Sequence, residues 1–199
     1  MSLLINLTLL GCMVDNRIYI FIDGSNLDMA TKHCFDKRVK PELLANKLVS
    51  DRRLMRVNYY ESPLLQKVNS KSFDAQQRFF ERLRMNAFFD VRLGRRVKRE
   101  RRFTCPDCGK SFKKTAWEQK GVDALIAFDL VALATRNAFD TAILVAGDQD
   151  FVCPVLEVRM MNKNVENAFT EYAWSATLKA VVDKTVLLDE THLNDCWLM

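Results

Sequence analysis

Residues 17–26 read RIYIFIDGSN, and this stretch decides the fold. From Ile18 to residue 22 it is a continuous apolar run rich in β-formers, which is typical of a strand buried on both faces. The run stops at the polar segment DGSN, residues 23–26, which favours a turn or a helix cap. A second apolar run, TAILVA at residues 141–146, is followed in the same way by GDQD. Two strands predicted to be buried therefore each end beside an aspartate.

Strands alternate with helices along the rest of the chain. The sequence predicts strands at residues 17–22, 54–60, 88–93, 141–146, 165–169 and 185–188. It predicts helices at about residues 26–34, 41–49, 72–86, 122–138, 151–161 and 172–182. This alternation indicates an α/β protein in three layers, with a mainly parallel sheet between two layers of helices. In such sheets ligands bind beyond the carboxyl ends of the strands, where the strand order reverses.

Acidic residues recur where this ligand-binding edge is expected. They lie in FIDGSN (residues 21–26), KGVDALIAFD (residues 120–129) and GDQDF (residues 147–151). Converging carboxylates raise one another's pKa, so such a cluster normally needs a cation. Ligands that are all oxygen suit Mg²⁺ or Mn²⁺, and these ions activate water for phosphodiester cleavage. We expect the metal ligands to be Asp23, Asp123 and Asp148.

Each of these carboxylates also has a simpler explanation. Asp23 and Asp148 can be turn residues, and Asp150 can cap the helix that follows it. Asp123 lies in the first turn of a helix, where an acid favours the helix dipole. Asp129 lies about 240° around that helix from Asp123, so we leave it out of the site. Ser25 and Asn26 either cap the first helix or hold Asp23 and a water on the metal.

The three acidic segments resemble the NYN domain in its LabA-like branch, which is part of the PIN-like nuclease superfamily. The later run AFTEYAWSATLKAVVDKTVLLD is similar to that branch as well, and the resemblance covers residues 18–189. It implies a sheet of order 3-2-1-4-5 and a ribonuclease site that uses Mg²⁺ or Mn²⁺. It marks as catalytic the residues Asp23, Asp123, Asp148, Asp150 and Asn26. One departure is the segment NKN at residues 162–164, where such chains often carry a glycine.

Two cysteines, Cys105 and Cys108, lie in the segment CPDCGK, which has the form of a zinc knuckle. Zinc needs four ligands, and the sequence holds no second pair with this spacing. Three sources for the remaining ligands stay open. These are the adjacent residues 33 and 34 (His-Cys), the pair His192 and Cys196, and the knuckle of a second chain in a symmetric homodimer. A redox-labile turn that binds no metal is the alternative.

A basic arm surrounds this knuckle at about residues 94–120. Residues 92–114 hold ten Lys or Arg against two acidic residues, and Phe103 and Phe112 interrupt the charge. Cations with interleaved aromatic rings can follow a phosphate backbone and stack on unpaired bases. The alternative is a solvated loop. The residues expected to bind RNA are Arg95, Arg96, Lys98, Arg99, Arg101, Arg102, Lys113, Lys114 and Lys120.

The 199 residues and a net charge of +5 suit a single domain. We expect an extension at residues 1–12 and one NYN domain at residues 13–199, with the arm as an insert. No apolar run reaches the roughly 18 residues of a membrane helix. Six cysteines without a convincing export signal indicate a reduced, cytoplasmic protein.

These patterns together favour a metal-dependent ribonuclease that acts on single-stranded or structured RNA. The main alternative is a regulatory or adaptor protein that binds RNA without cutting it. A small-molecule phosphohydrolase is less consistent with the sequence, because DGS rather than an Asp-x-Asp motif follows the first strand. Neither histidine lies in the acidic segments, so we expect no histidine-dependent mechanism.

Overall fold

The apolar runs of the sequence meet as neighbouring strands of one parallel sheet. The computed structural model describes residues 16–198, without the side chains of Arg101 and Lys114. The extension predicted at residues 1–12 lies outside the described residues. The strands are β1 (Arg17–Asp23), β2 (Arg53–Glu61), β3 (Phe89–Leu93), β4 (Arg95–Thr104), β5 (Ser111–Lys120), β6 (Thr141–Val145), β7 (Asn164–Phe169) and β8 (Lys184–Leu187). The helices are α1 (Gly24–Phe35), α2 (Pro41–Val49), α3 (Ser70–Met85), α4 (Val122–Thr135), α5 (Val152–Met160), α6 (Ala176–Val181) and α7 (Glu190–Leu193).

The main sheet has the strand order β3-β2-β1-β6-β7-β8 within residues 16–198. Every neighbouring pair in it is parallel. The expected order 3-2-1-4-5 is confirmed for the main-sheet strands, and β8 adds a sixth strand at one edge. The order reverses between β1 and β6. A cleft for a ligand is therefore expected beyond the carboxyl ends of these two strands.

Both faces of β1 are buried, as its continuous apolar sequence predicts. Ile20 and Ile22 face a core that also contains residues of α1, α2 and α3, for example Leu44 and Phe80. Phe21 faces the opposite core, which is built mainly on α4, α5 and α6. Helices therefore cover both faces of the sheet, and the three-layer α/β/α architecture is confirmed.

The predicted helix at residues 172–182 is too long. The helix α6 begins only at Ala176, after Ser175, whose hydroxyl caps it by accepting a hydrogen bond from the N–H of Leu178. The preceding segment turns instead, and its residue Ala173 lies against Gly147, where a Cβ would overlap the Ala173 backbone. This close approach to the end of β6 holds residues 170–175 out of a helix.

The basic arm, for which the sequence predicts no strand or helix, is an antiparallel hairpin. The strands β4 and β5 pair over their whole length, from Arg95 opposite Lys120 to Thr104 opposite Ser111. Apolar and polar residues alternate in a strand when one of its faces is buried. Most residues of this hairpin are exposed to solvent, so its sequence shows no such alternation. The hairpin joins β3 to α4, so its base lies at the carboxyl edge of the main sheet.

The turn before β7 also follows from its residues. Asn162 adopts a φ of 57°, in the left-handed region where such chains often carry glycine. Asparagine tolerates this region better than most residues. The departure at residues 162–164 therefore leaves the turn intact.

Candidate active site

The acidic site lies at the carboxyl ends of β1 and β6. Asp23 is the last residue of β1 and is 7% exposed. It caps α1, because its Oδ1 accepts a hydrogen bond of 3.0 Å from the N–H of Asn26. The next residue, Gly24, packs against the ring of Tyr59, and a side chain at position 24 would overlap that ring. The DGSN segment thus turns directly from strand to helix with a carboxylate fixed at the turn.

The segment after β6 is joined to this turn through Asn26. The Asn26 Oδ1 accepts a hydrogen bond of 3.3 Å from the N–H of Gly147. The next residue, Asp148, caps the short 3-10 turn Gln149–Phe151, where its Oδ1 accepts a hydrogen bond of 3.0 Å from the N–H of Asp150. Asp150 itself is exposed. Asn26 therefore links the two loops that carry Asp23 and Asp148.

The third acidic segment reaches the site from the hairpin. Asp123 lies in the first turn of α4, two residues after Gly121, whose φ of 86° allows the sharp change from β5 into the helix. Partial burial raises the pKa of Asp123, and the charges of Asp148 and Asp150 raise it further. The structure thus brings Asp123 within electrostatic range of the carboxylates that follow β6.

Asp23 belongs to the same acidic group. Burial raises the pKa of Asp23 from 3.8 to about 6, and the charges of Asp123 and Glu61 add to the rise. The hydrogen bond from the N–H of Asn26 opposes it. Electrostatic interactions therefore link the four aspartates predicted for the site. Asp23 interacts with Asp123, and Asp123 interacts with Asp148 and Asp150.

Glu61 is a carboxylate of this site that the sequence prediction missed. It ends β2, is 9% exposed, and accepts hydrogen bonds from the Ser25 hydroxyl (2.5 Å) and the N–H of Ser62 (2.9 Å). Burial raises its pKa, although these hydrogen bonds and the charge of Arg96 oppose the rise. Glu61 ends a strand that is only partly apolar, so the sequence signal that marks Asp23 is weaker at this position.

Asp129 lies apart from this group. It is buried on α4, where its carboxylate accepts hydrogen bonds from the Tyr60 hydroxyl (2.8 Å) and the Arg92 guanidinium (3.0 Å). These contacts give it a role in joining α4 to β2 and β3.

The carboxylates fit a divalent cation in chemistry more than in arrangement. All of them are oxygen donors. Burial first, and then the charges of neighbouring carboxylates, raise the pKa of Asp23 and of Asp123, and a hard cation would relieve the repulsion between these charges. Across residues 16–198, however, no three His, Cys, Asp or Glu side chains gather closely enough to hold a metal ion. A shared ion would therefore require movement of Asp23, Asp123 and Asp148 toward one another.

The hairpin is anchored to the acidic site at its base. Gln119 donates a hydrogen bond of 2.9 Å to the Ser25 hydroxyl. Arg96 lies close enough to Glu61 for its positive charge to oppose the rise in the pKa of Glu61. Lys120, at the end of β5, comes three residues before Asp123. Ser25 therefore contacts both Glu61 and the hairpin, and does not cap α1.

Most of the remaining basic residues predicted to bind RNA point into solvent. The exposed side chains are those of Arg95, Lys98, Arg99, Arg102, Lys113 and Lys120. Arg101 and Lys114 occupy opposite positions in the two strands. Phe103 and Phe112 stack on each other with ring centroids 5.8 Å apart, and both are exposed.

A cavity of about 810 Å³ opens beside the site, between α1, α3 and the base of the hairpin. Ser25 and Glu61 line it, together with four arginines: Arg38, Arg78, Arg82 and Arg96. The Arg96 Nε is buried and has no hydrogen-bond partner in the described part of the chain. The cavity therefore offers cationic groups directly next to the carboxylates.

Two exposed aromatic residues lie in the segment between β7 and α6. Tyr172 and Trp174 are 48% and 52% exposed, and both belong to the turn whose residue Ala173 contacts Gly147. Tyr172 stacks on His33 of α1 with a centroid distance of 3.8 Å. The sequence prediction had assigned Tyr172 to a helix and so gave it no functional role.

Cys105 and Cys108 lie at the tip of the hairpin, and both are free thiols. Hydrogen bonds from the backbone N–H groups of Cys108 and Asp107 lower the pKa of the Cys105 thiol. Among the described residues, no histidine or further cysteine joins this pair to complete a metal site. His192 and Cys196 lie instead beside α2, where the positive charge of Lys47 is close enough to affect the pKa of both.

A parallel three-layer α/β/α sheet with carboxylates at its switch point is consistent with the PIN-like class of nuclease folds. Within that class, residues 17–189 match the NYN domain, and the chain belongs to this family. One solved structure with the same fold is a protein of unknown function, VPA0982, from Vibrio parahaemolyticus RIMD 2210633. It is 21% identical, with a TM-score of 0.66, over 92% of this chain and 97% of the other. No curated protein matches the chain.

None of the helices in the described region combines the length and apolar character that crossing a bilayer requires.

Asp23 is expected to make the stability of the metal-free protein depend on pH. Its pKa is about 6 in the folded state against 3.8 ordinarily, so the folded state holds the proton more tightly than the unfolded state does. The free energy of unfolding should therefore fall as pH rises from about 4 to about 6. At pH 7.5 the penalty is complete, and Asp23→Asn should be more stable than wild type by roughly 1–3 kcal/mol.

Urea denaturation in EDTA at pH 4.5 and pH 7.5 measures this effect. The difference between wild type and Asp23→Asn should be small at the lower pH and large at the higher one. A difference that is the same at both pH values would contradict the raised pKa of Asp23.

Proposed function

We propose that this protein is a divalent-metal-dependent endoribonuclease of the LabA-like branch of NYN domains. It hydrolyses phosphodiester bonds of single-stranded or structured RNA. The observation that carries the proposal is the position of Asp23 and Asp148 after β1 and β6, at the reversal of strand order, with Asp123 close enough to interact electrostatically with each of them. A binding module has no need of a group of carboxylates, with Asp23 buried among them, that repel one another and the phosphate of its ligand.

Each part of the site has a task in this reaction. Asp23, Asp123 and Asp148 would hold Mg²⁺ or Mn²⁺, which supplies activation of water and stabilisation of the leaving oxygen. Asn26 keeps the two loops in register through the N–H of Gly147 and fixes Asp23 through its own N–H. Asp150, exposed at the rim, adds negative charge that helps attract the cation.

The surroundings of the site support RNA as the substrate. The basic hairpin leads from its exposed tip to Lys120, next to the acidic group, and can neutralise phosphates along that path. The cavity with its arginines can accept a nucleotide beside the scissile phosphate. Exposed rings at Phe103, Phe112, Tyr172 and Trp174 can stack on unpaired bases.

The free cysteines support action in the cytoplasm. Cys108 and Cys153 are exposed thiols, and such thiols persist in a reducing compartment.

A second candidate is an RNA-binding regulatory or adaptor protein without catalysis. One observation favours it: in the region that the structure describes, no three potential ligands gather closely enough for a metal. The hairpin and the aromatic residues would serve this function equally well.

Incubation with labelled single-stranded RNA and Mn²⁺, with and without EDTA, separates the two functions. Single-stranded DNA and a generic phosphatase substrate are tested in parallel. Cleavage of RNA that EDTA abolishes supports the nuclease. Tight RNA binding with no cleavage in Mn²⁺ or Mg²⁺ supports the adaptor, and turnover of the phosphatase substrate alone contradicts both.

A further inference from the structure

The turn at the tip of the hairpin, residues 105–110, contains both Cys105 and Cys108. The N–H of Cys105 donates to the Lys110 carbonyl (2.9 Å), and the N–H of Gly109 donates back to the Cys105 carbonyl (3.0 Å). Gly109 has a φ of 67°, which glycine accepts without strain. The backbone N–H groups of Cys108 and Asp107 and the Cys108 thiol are close enough to the Cys105 sulfur to lower its pKa. Cys105 and Cys108 therefore lie side by side in this turn.

This arrangement would supply half of a zinc site, because two cysteines on a tight turn followed by a glycine can provide two of the thiolate ligands of zinc. Backbone N–H groups near a ligating sulfur help to orient it. The Cys108 side chain is exposed, so a metal can approach the pair from solvent. A structural zinc ion takes four ligands in a tetrahedron. Two ligands are therefore missing.

The missing ligands do not come from the rest of this chain as described. Between residues 16 and 198, no third His, Cys, Asp or Glu side chain lies with Cys105 and Cys108 in a metal-binding group. The ten residues of β4, at about 3.4 Å each, place the tip roughly 30 Å from the hairpin base. Cys196 is 1% exposed within the main core, so it cannot move to the tip without loss of packing.

We propose that two copies of the chain join at their hairpin tips through one zinc ion, held by Cys105 and Cys108 of each copy. Four thiols lose their protons when the ion binds, so the completed centre carries a charge of about −2. The tip also carries the cations Arg102, Lys110 and Lys113, which would repel their counterparts on a second tip. The negative centre offsets that repulsion.

The apolar surface next to the tip supports a second copy as the occupant. Phe103 and Phe112 stack as a cross-strand pair one position away from the turn, and they are 42% and 55% exposed. Burial of such rings against a partner favours association, because apolar surface is removed from water. A tip-to-tip dimer brings two of these pairs to the same junction.

Metal content and molar mass test this inference together. The full chain is purified with a non-chelating reductant and dialysed against buffer with added Zn²⁺, and excess metal is then removed. We expect 0.5 zinc per chain by mass spectrometry of the metal, and a dimer by light scattering. Cobalt reconstitution should give the charge-transfer and d–d absorption of a tetrahedral centre with four thiolates.

The Cys105→Ser and Cys108→Ser variants should lose zinc and become monomeric. Their circular dichroism should match that of wild type, since the tip lies outside both cores. Cys153→Ser removes another exposed thiol and should change neither quantity. One zinc per monomer, no zinc in the reduced wild type, or a dimer that persists in Cys105→Ser would each overturn the proposal. These readouts do not depend on RNA cleavage, so they stay independent of the proposed nuclease function.

Discussion

Asp23→Asn should reduce Mn²⁺-dependent RNA cleavage by roughly a hundredfold or more while the protein stays folded. A metal ion contributes several kcal/mol to such a reaction, and each 1.4 kcal/mol corresponds to a factor of ten in rate. The Asn side chain can still accept the hydrogen bond from the N–H of Asn26, so the cap of α1 survives. Loss of activity would then report loss of the anionic ligand rather than loss of structure. Cleavage rates at saturating RNA measure the effect.

A matched control is available on the opposite side of the sheet. Asp51 is exposed two residues before the start of β2, at the amino edge, and Asp51→Asn should cleave at the wild-type rate. Asp148→Asn should behave like Asp23→Asn, because Asp148 belongs to the coupled acidic group. Wild-type cleavage by both site variants would rule out the metal-dependent mechanism.

Neutralising the hairpin should weaken RNA binding and flatten its dependence on salt. The double variant Arg95→Gln/Arg102→Gln removes two exposed cations from β4. Each lost phosphate contact should lower the slope of log affinity against log salt by about 0.7 for a single strand, so both together lower it by up to about 1.4. Affinity should fall about equally for unrelated RNA sequences, because phosphate contacts carry no sequence information. Fluorescence anisotropy over a series of salt concentrations measures both quantities.

The control for this variant removes two exposed cations from the amino edge of the sheet. Arg136 follows α4 and Lys184 begins β8, so Arg136→Gln/Lys184→Gln changes the net charge equally and leaves the hairpin intact. Its salt slope should match that of wild type. An unchanged slope in the hairpin variant would mean that the hairpin does not contact phosphates. A loss confined to one RNA sequence would mean that it reads bases.

The main sheet could be predicted because its buried strands have continuous apolar sequences. The strands β1 and β6 are buried on both faces, so Ile, Leu, Val and Phe follow one another without alternation. An aspartate after such a strand has no packing role, and this made Asp23 and Asp148 visible. The topology then follows from the alternation of strands and helices.

The hairpin and Glu61 could not be predicted in the same way. The hairpin is held by a ladder of backbone hydrogen bonds and exposes most of its side chains, so burial leaves no periodic trace in β4 or β5. Glu61 ends β2. This strand also contains Arg53 and Arg56, so no long continuous apolar run points to Glu61. Contacts such as Ser25 with Gln119 join residues that are 94 positions apart, and no local pattern encodes them.

The placement of the hairpin also bears on the entropy of folding. Pairing of β1 with β6 closes a long loop, since Arg17 and Asp140, which hydrogen-bond directly, are 123 residues apart. The hairpin supplies about a fifth of that loop, and closure entropy rises only with the logarithm of loop length. Its presence therefore adds only about 0.2 kcal/mol to the cost of closure. A ribbon at this position can be lengthened, shortened or deleted over evolutionary time with almost no entropic effect on the sheet that aligns Asp23 with Asp148.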